Sequence, residues 1–291
     1  MLLTMGLLLT LGIQPAPPTA TTPQGVLADA NALFAKQENE KALAAYERVI
    51  ALDPANVDGY IGRGRTLARL RRYDEALASY GEALKRKPDD AMALRYRGHN
   101  YINVRKIDLA LADLTRADEI ARKAAGKDPS ITDEYGIYYH LGLARYLNRD
   151  FAGAAEAYKD CDRVSKTDEE RVGCLAWMYP ALARANKDTE AQQLLTRVTP
   201  DMKVTESAAY LDRLLLFKGV KTEEEVAKRM AEGSLQASTV AYGIGLWHLL
   251  SGRPDMARGY FQKATATDAT YAFGSIAADS ELQHMQGKGK G

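Results

Sequence analysis

The chain has 291 residues, 46% hydrophobic and 26% charged, and its 39 Lys and Arg against 38 Asp and Glu leave a net charge of +1. This is the composition of a folded globular chain rather than a disordered one. It carries neither the basic excess that would argue for nucleic acid nor the acidic excess of a solvating tail. Ala, Leu, Arg, Lys and Glu dominate and β-branched residues are sparse, which favours helix nearly throughout.

Residues 1–13, MLLTMGLLLTLGI, form an apolar run. A bilayer span needs roughly 20 such residues, so no stable membrane span is expected. The stretch QPAPPTATTPQG follows, with Ala16 and Ala20 placed to flank a cleavage site. Together, residues 1–23 read as a signal peptide and linker, which sends the chain to the periplasm or outside the cell. A basic n-region is missing, and the alternative is an apolar tail or buried first helix on a cytoplasmic protein.

From residue 24 a period emerges. The stretch 57–88, VDGYIGRGRTLARLRRYDEALASYGEALKRKP, places Gly64 in a first helix, Ala76 and Tyr80 in a second, and Pro88 at its close. Ala30, Leu33, Ala42, Tyr46, Val49 and Pro54 fill the equivalent positions upstream, and Gly98, Tyr101, Ala110, Leu114 and Ala117 do so downstream. Pro54 to Pro88 and Gly64 to Gly98 are both 34 residues. Small positions leave room for neighbouring backbone, aromatic ones fill the space between repeats, and proline ends a helix. One such helix pair cannot bury its apolar face alone, so stacking is obligatory.

Residues 24–125 thus hold three regular repeats, the last with an elongated second helix, and 126–134 form an insertion loop. Repeats resume over 135–286. Tyr138, Leu141, Gly142, Ala154 and Tyr158 mark a fourth, and Leu175, Leu182, Ala191 and Leu195 a fifth whose first helix contains Pro180, a kink site. A degenerate pair spans 206–230, with a capping box at Thr222 and Glu225. Gly245, Ala257, Phe261 and Ala264 restore the pattern, a capping helix covers 271–285, and 287–291 are a flexible tail.

These motifs resemble the tetratricopeptide repeat family over about 24–285. The resemblance implies an all-α, right-handed superhelical solenoid with a C-terminal capping helix, whose first helices line a concave, partner-binding groove. The second half, with KDTEAQQLL, TEEEVAKRM and AYGIGLWHLLSGRPDMARGYFQKATATDATYAFGSIAADSEL, also resembles the periplasmic adaptor family called new lipoprotein I of Gram-negative bacteria. That resemblance implies a dimeric scaffold for cell-wall hydrolases and a periplasmic protease. The chain departs from it in lacking a lipid-carrying cysteine after the apolar run.

In the groove positions that the family implies stand Asn31, Arg65, Arg69, Arg95, His99 and Asn103. Arg65 and Arg69 are one turn apart, as are Arg95 and His99, so each pair shares a face. One reading is a basic, amide-bearing groove for a protein or peptide with an acidic segment or free carboxylate. The other is solvated charge, paired with neighbours such as Asp58 or Asp74. Farther along, the same positions hold Tyr139 and Tyr146, either apolar anchors for the partner or residues buried under an adjoining helix. Trp177 and Trp247 read as core.

Cys161 and Cys174 fall late in one helix and early in the next, compatible with a disulfide or with free buried thiols. Neither has a histidine at ligand spacing, so no metal is expected. No phosphate loop, His-Glu-x-x-His or nucleophile elbow is present, and His99, His140, His248 and His284 are scattered. The expectation is a non-enzymatic adaptor without cofactor, the alternative a module that self-assembles as a homodimer.

Overall fold

The computed structural model describes residues 22–124 and 133–288. The apolar leader with most of its linker, the insertion apart from Asp133 and Glu134, and the last three residues lie outside this range. Helices follow one another in antiparallel pairs: α1 (Pro23–Ala35) with α2 (Asn39–Leu52), α3 (Val57–Arg69) with α4 (Tyr73–Arg86), and α5 (Ala91–Asn103) with α6 (Ile107–Ala124). Next come α7 (Glu134–Leu147) with α8 (Phe151–Val164) and α9 (Asp168–Arg184) with α10 (Asp188–Thr196). A degenerate pair, α11 (Ala208–Phe217) and α12 (Glu223–Ala227), leads to α13 (Ser234–Leu250) with α14 (Pro254–Thr265), and α15 (Phe273–Lys288) closes the chain. Among the described residues there are no strands, and the stacked pairs form a superhelical solenoid. At 18 residues, α6 is the elongated helix expected, against 14 each for α2 and α4.

Local chemistry sets the helix ends. Asn56, Asp90, Asp133 and Asp150 each accept a backbone N–H in the first turn of α3, α5, α7 and α8. Thr222 and Glu225 form the capping box on α12. The turn inside each early repeat carries a left-handed residue: Gln37, Arg71, Arg105 and Arg149 have φ of 60°, 60°, 59° and 64°. The following N–H reaches back to close the helix, as Arg72 N does to Leu67 O at 2.9 Å and Lys106 N to Tyr101 O at 2.8 Å. Arginine is costly there, at about 1–2 kcal/mol, and three of these turns keep one.

The small positions serve rings as much as backbone. A Cβ on Gly64 would stand 2.5 Å from the Tyr80 ring, one on Gly142 2.8 Å from Tyr158, and one on Gly245 2.7 Å from Phe261. Each large residue follows its glycine by sixteen positions and lies on the second helix of the same pair. Tyr46 similarly covers Gly62 of the next repeat, and Tyr80 stacks on Tyr96 of the next, with centroids 6.1 Å apart.

The core changes character along the chain. The first repeats hold separate small clusters, one around Ala30, Phe34 and Tyr46 and another around Leu43, Leu67 and Tyr80. Between Ile102 and Ala278 one large cluster forms instead, beside a smaller one around Leu216, Val226 and Ile244. There α11, α13 and α15 fold over the inner face, so the first helices of the later repeats are covered on both sides. The N-terminal part is stabilised by nearest-neighbour stacking, and the C-terminal part has a shared interior.

Cys161 at the end of α8 and Cys174 in α9 are disulfide-bonded, with Cα atoms 6.0 Å apart. Of the two readings left open by the sequence, the free-thiol one is therefore set aside. The bond staples consecutive repeats across a loop of 13 residues. Beyond it, α9 continues through Pro180 to Arg184.

The C-terminal helix packs on α13 and α14 as a cap and also reaches the inner face. Gly274, Ser275, Ile276, Ala277 and Ala278 are consecutively buried, so its first turns have no solvent side. Small residues permit this: a Cβ on Gly274 would meet the backbone of Ser238 and Thr239 at 2.9 Å. The helix runs on to Lys288, two residues into the stretch expected as a tail.

Candidate functional site

Three first helices, α1, α3 and α5, form one wall of a cavity of about 730 Å³. Its opposite wall comes from far along the chain, from Tyr210, Leu235, Thr239 and the segment Tyr271, Ala272 and Phe273. Arg65, Arg69, Arg95, His99 and Asn103, all expected in the groove, line it together with Arg71. Among the described residues no carboxylate lines it.

The arginines are held by rings. The Arg69 guanidinium lies 3.5 Å from the centroid of Phe34, and Arg65 lies 4.5 Å from Phe34 and 5.0 Å from Tyr96. Arg95 lies 4.5 Å from Tyr96 as well. The order is Arg69, Phe34, Arg65, Tyr96, Arg95, an alternating ladder across three repeats. Each contact contributes about 0.5–2 kcal/mol and spaces like charges that would otherwise repel.

Partnering of these cations is sparse. Arg69 donates to Phe34 O at 2.6 Å, and Arg95 pairs with Asp133 at 3.1 Å. Among the described residues Arg65 and Arg71 have no hydrogen-bond or ion-pair partner, and neither Asp58 nor Asp74 pairs with Arg65 or Arg69. Arg95 Nε is buried without an acceptor. Burial, and then the neighbouring Arg65, hold Arg69 below the usual guanidinium range. His99 adds no charge at neutral pH, because burial and then Arg95 push it down to about 3. Its ring stacks on His140 at 4.4 Å and meets the edge of Phe273 at 5.5 Å.

The other expected site residues lie elsewhere. Asn31 is exposed on α1, accepts a hydrogen bond from Tyr46 Oη at 2.7 Å, and stands outside the cavity. Tyr139 and Tyr146 do not face the groove. They are 7% and 2% exposed, and this corrects their reading as apolar anchors. Trp177 donates to Tyr139 Oη at 3.1 Å, and Tyr146 Oη accepts from Arg184 at 3.0 Å and meets Tyr242 Oη at 3.2 Å. Trp177 is fully buried, while Trp247 is half-buried beneath the Arg253 guanidinium.

A second set of arginines holds the C-terminal segment against the inner face. Arg71 stacks on Tyr271 at 4.1 Å, Arg105 donates to Thr270 O at 2.9 Å, and Arg149 pairs with Glu281 at 3.4 Å. These are the three left-handed turn arginines. Arg184 from α9 also clasps Glu281, and both side chains are under a tenth exposed. Burial alone would lower Arg184, yet Tyr146 and Glu281 raise it above the usual range. The period marks the groove arginines but not Phe34, Tyr96 or the turn arginines. The recurrence of arginine 34 residues apart at positions 71 and 105 is the one signal that could have found the latter.

Among the described residues no group of three or more His, Cys, Asp or Glu could hold a metal ion, and no helix is long and apolar enough to cross a membrane.

A family model described as tetratricopeptide repeat matches residues 27–91 and 61–99. Among solved structures the chain is similar to PilF of Pseudomonas aeruginosa, with a TM-score of 0.52 and 14% identity over 91% of this chain and 97% of that one. MamA (residue 41 to its end) from Desulfovibrio magneticus RS-1 has a TM-score of 0.50 and 18% identity, over 62% of this chain and 94% of that one. A chain of the APC/C hetero-tetramer Cut9–Hcn1 reaches a TM-score of 0.53 at 14% identity, over 90% of this chain but 42% of that one. At such identities the likeness is one of fold alone. No curated protein sequence matches.

Proposed function

We propose that this chain, in which residues 27–91 and 61–99 match the tetratricopeptide-repeat model and which shares the fold of such solenoids, is a non-enzymatic adaptor whose first three repeats hold an acidic segment of a protein partner. The observation that carries this reading is the arginine–aromatic ladder: three guanidiniums from two successive repeats packed on Phe34 and Tyr96, and, among the described residues, a lining without carboxylates. A guanidinium packed on a ring can still offer its N–H edge to a carboxylate. Arg65, with no hydrogen-bond or ion-pair partner among the described residues, has its whole edge to offer, while Arg69 and Arg95 spend part of theirs on Phe34 O and Asp133. Asn103 supplies a further donor beside it.

The test uses a fluorescein-labelled hexapeptide of alternating Asp and Glu with a free carboxyl end. Fluorescence anisotropy with the Arg65→Ala/Arg95→Ala variant should show affinity at least tenfold below wild type, with unchanged circular dichroism. Equal affinities would sink the proposal. A homodimer through the C-terminal end has less to support it, because among the described residues the exposed ones of α15 are polar or small, such as Gln283 and Gln286, and its first turns are buried within the chain.

Residence in the bacterial envelope belongs to the same proposal. It is supported by the Cys161–Cys174 bond, since structural disulfides persist in oxidising compartments, and by the apolar leader. Intact-mass measurement of the protein from its native cells should give a chain lacking the leader; a cytosolic chain that retains Met1 would refute this placement.

A further inference from the structure

We infer that the cavity is also a binding site for a small organic polyanion, a di- or tricarboxylate or a phosphate ester, which competes there with the acidic partner. The inference rests on the reading of the arginine ladder as an oxyanion site, and adds a second ligand class that controls access to it.

Shape is the first ground. A solenoid groove is ordinarily an open trough, but here the C-terminal segment supplies a second wall. Phe273 packs on His99 and His140, with centroids 5.5 and 5.8 Å away, and Arg105 holds Thr270 O at 2.9 Å. These contacts close the groove between the third and fourth repeats. The space left is about 730 Å³, within the range of small-molecule sites, ~300–1,000 Å³. A compact ligand fits inside, as does the end of an acidic segment.

Charge is the second ground. Four guanidiniums, from Arg65, Arg69, Arg71 and Arg95, line the cavity, and Asp133 is the one carboxylate paired with any of them among the described residues. Among the described residues three of these positive charges have no ion-pair partner, and in a partly desolvated space their repulsion is stronger than in water. A ligand with two or three negative charges relieves it, and a monoanion does so less.

Preorganisation is the third. Arg71 is fixed on Tyr271 from the far wall, and Arg65 and Arg69 share Phe34 on the near wall. The guanidiniums of one wall are thus held by rings of both walls, which leaves less ordering to be done when the ligand arrives.

Isothermal titration calorimetry with citrate and with pyrophosphate tests this and separates the carboxylate from the phosphate source. Sodium chloride at matched ionic strength controls for screening. At least one probe should bind wild type and displace the labelled acidic peptide. Affinity should fall at least tenfold in Arg65→Gln and in Arg71→Gln, and stay unchanged in Arg116→Gln, which alters an exposed arginine paired with Asp89 and Glu119. Because wild type alone reports binding, a variant that misfolds does not decide the matter. If the peptide binds and neither probe does, this inference is overturned and the adaptor reading stands. If a probe binds and the peptide does not, the adaptor reading falls and the polyanion site stands.

Discussion

Glu281→Ala should lower the unfolding free energy by about 3–5 kcal/mol, the cost of breaking a buried ion pair by removing one partner. The Glu281 and Arg184 side chains are 5% and 9% exposed. Without the carboxylate, Arg184 keeps its charge in a site that also holds Tyr146 and Tyr242, and Arg149 loses its partner. Much of the loss reflects that stranded cation rather than net attraction in the pair. Urea denaturation followed by circular dichroism measures it. The variant Glu281→Ala/Arg184→Met should recover part of the loss, because it removes the stranded charge and keeps most of the apolar volume at position 184. A loss below 1 kcal/mol in the single variant would show that the clasp is not structural. Limited proteolysis adds a local readout, with cleavage expected first near α15.

Gly64→Val should cost about 3 kcal/mol or slightly more, the upper range for overpacking a filled core. Even one carbon at this position would stand 2.5 Å from the Tyr80 ring. That ring is fully buried and stacks on Tyr96 of the next repeat, so it has nowhere to turn. Gly81→Ala is the contrast. Its Cβ meets nothing within 4 Å on α4, so the better helix propensity of alanine should stabilise by roughly 0.5–1 kcal/mol. Both values come from the same denaturation experiment. A neutral Gly64→Val would mean that the small positions of the period are not set by packing.

The array was legible in the sequence because its rules are short in range. Gly64 and Tyr80, Gly142 and Tyr158, and Gly245 and Phe261 meet across a hairpin of helices at one fixed separation. A repeated spacing therefore reports a repeated contact. The Thr222–Glu225 box and the aspartate caps are more local still. Arg65, Arg69 and Arg95 also fell on the groove wall as expected, since helix phase alone decides which face a residue takes.

Helix phase does not say what covers that face. Tyr139 and Tyr146 occupy inward positions like those of the arginines, yet they are buried because α13 and α15 return over them. Arg184 meets Glu281 across 97 residues, and Arg105 meets Thr270 across 165. Those distances are set by the summed curvature of every intervening repeat, which no local spacing encodes. By itself the sequence determined the helices, their pairing and the side on which the arginines stand. Only the tertiary structure decided that the groove is walled at its far side, because that wall is made when the superhelix brings the chain's end back to its beginning.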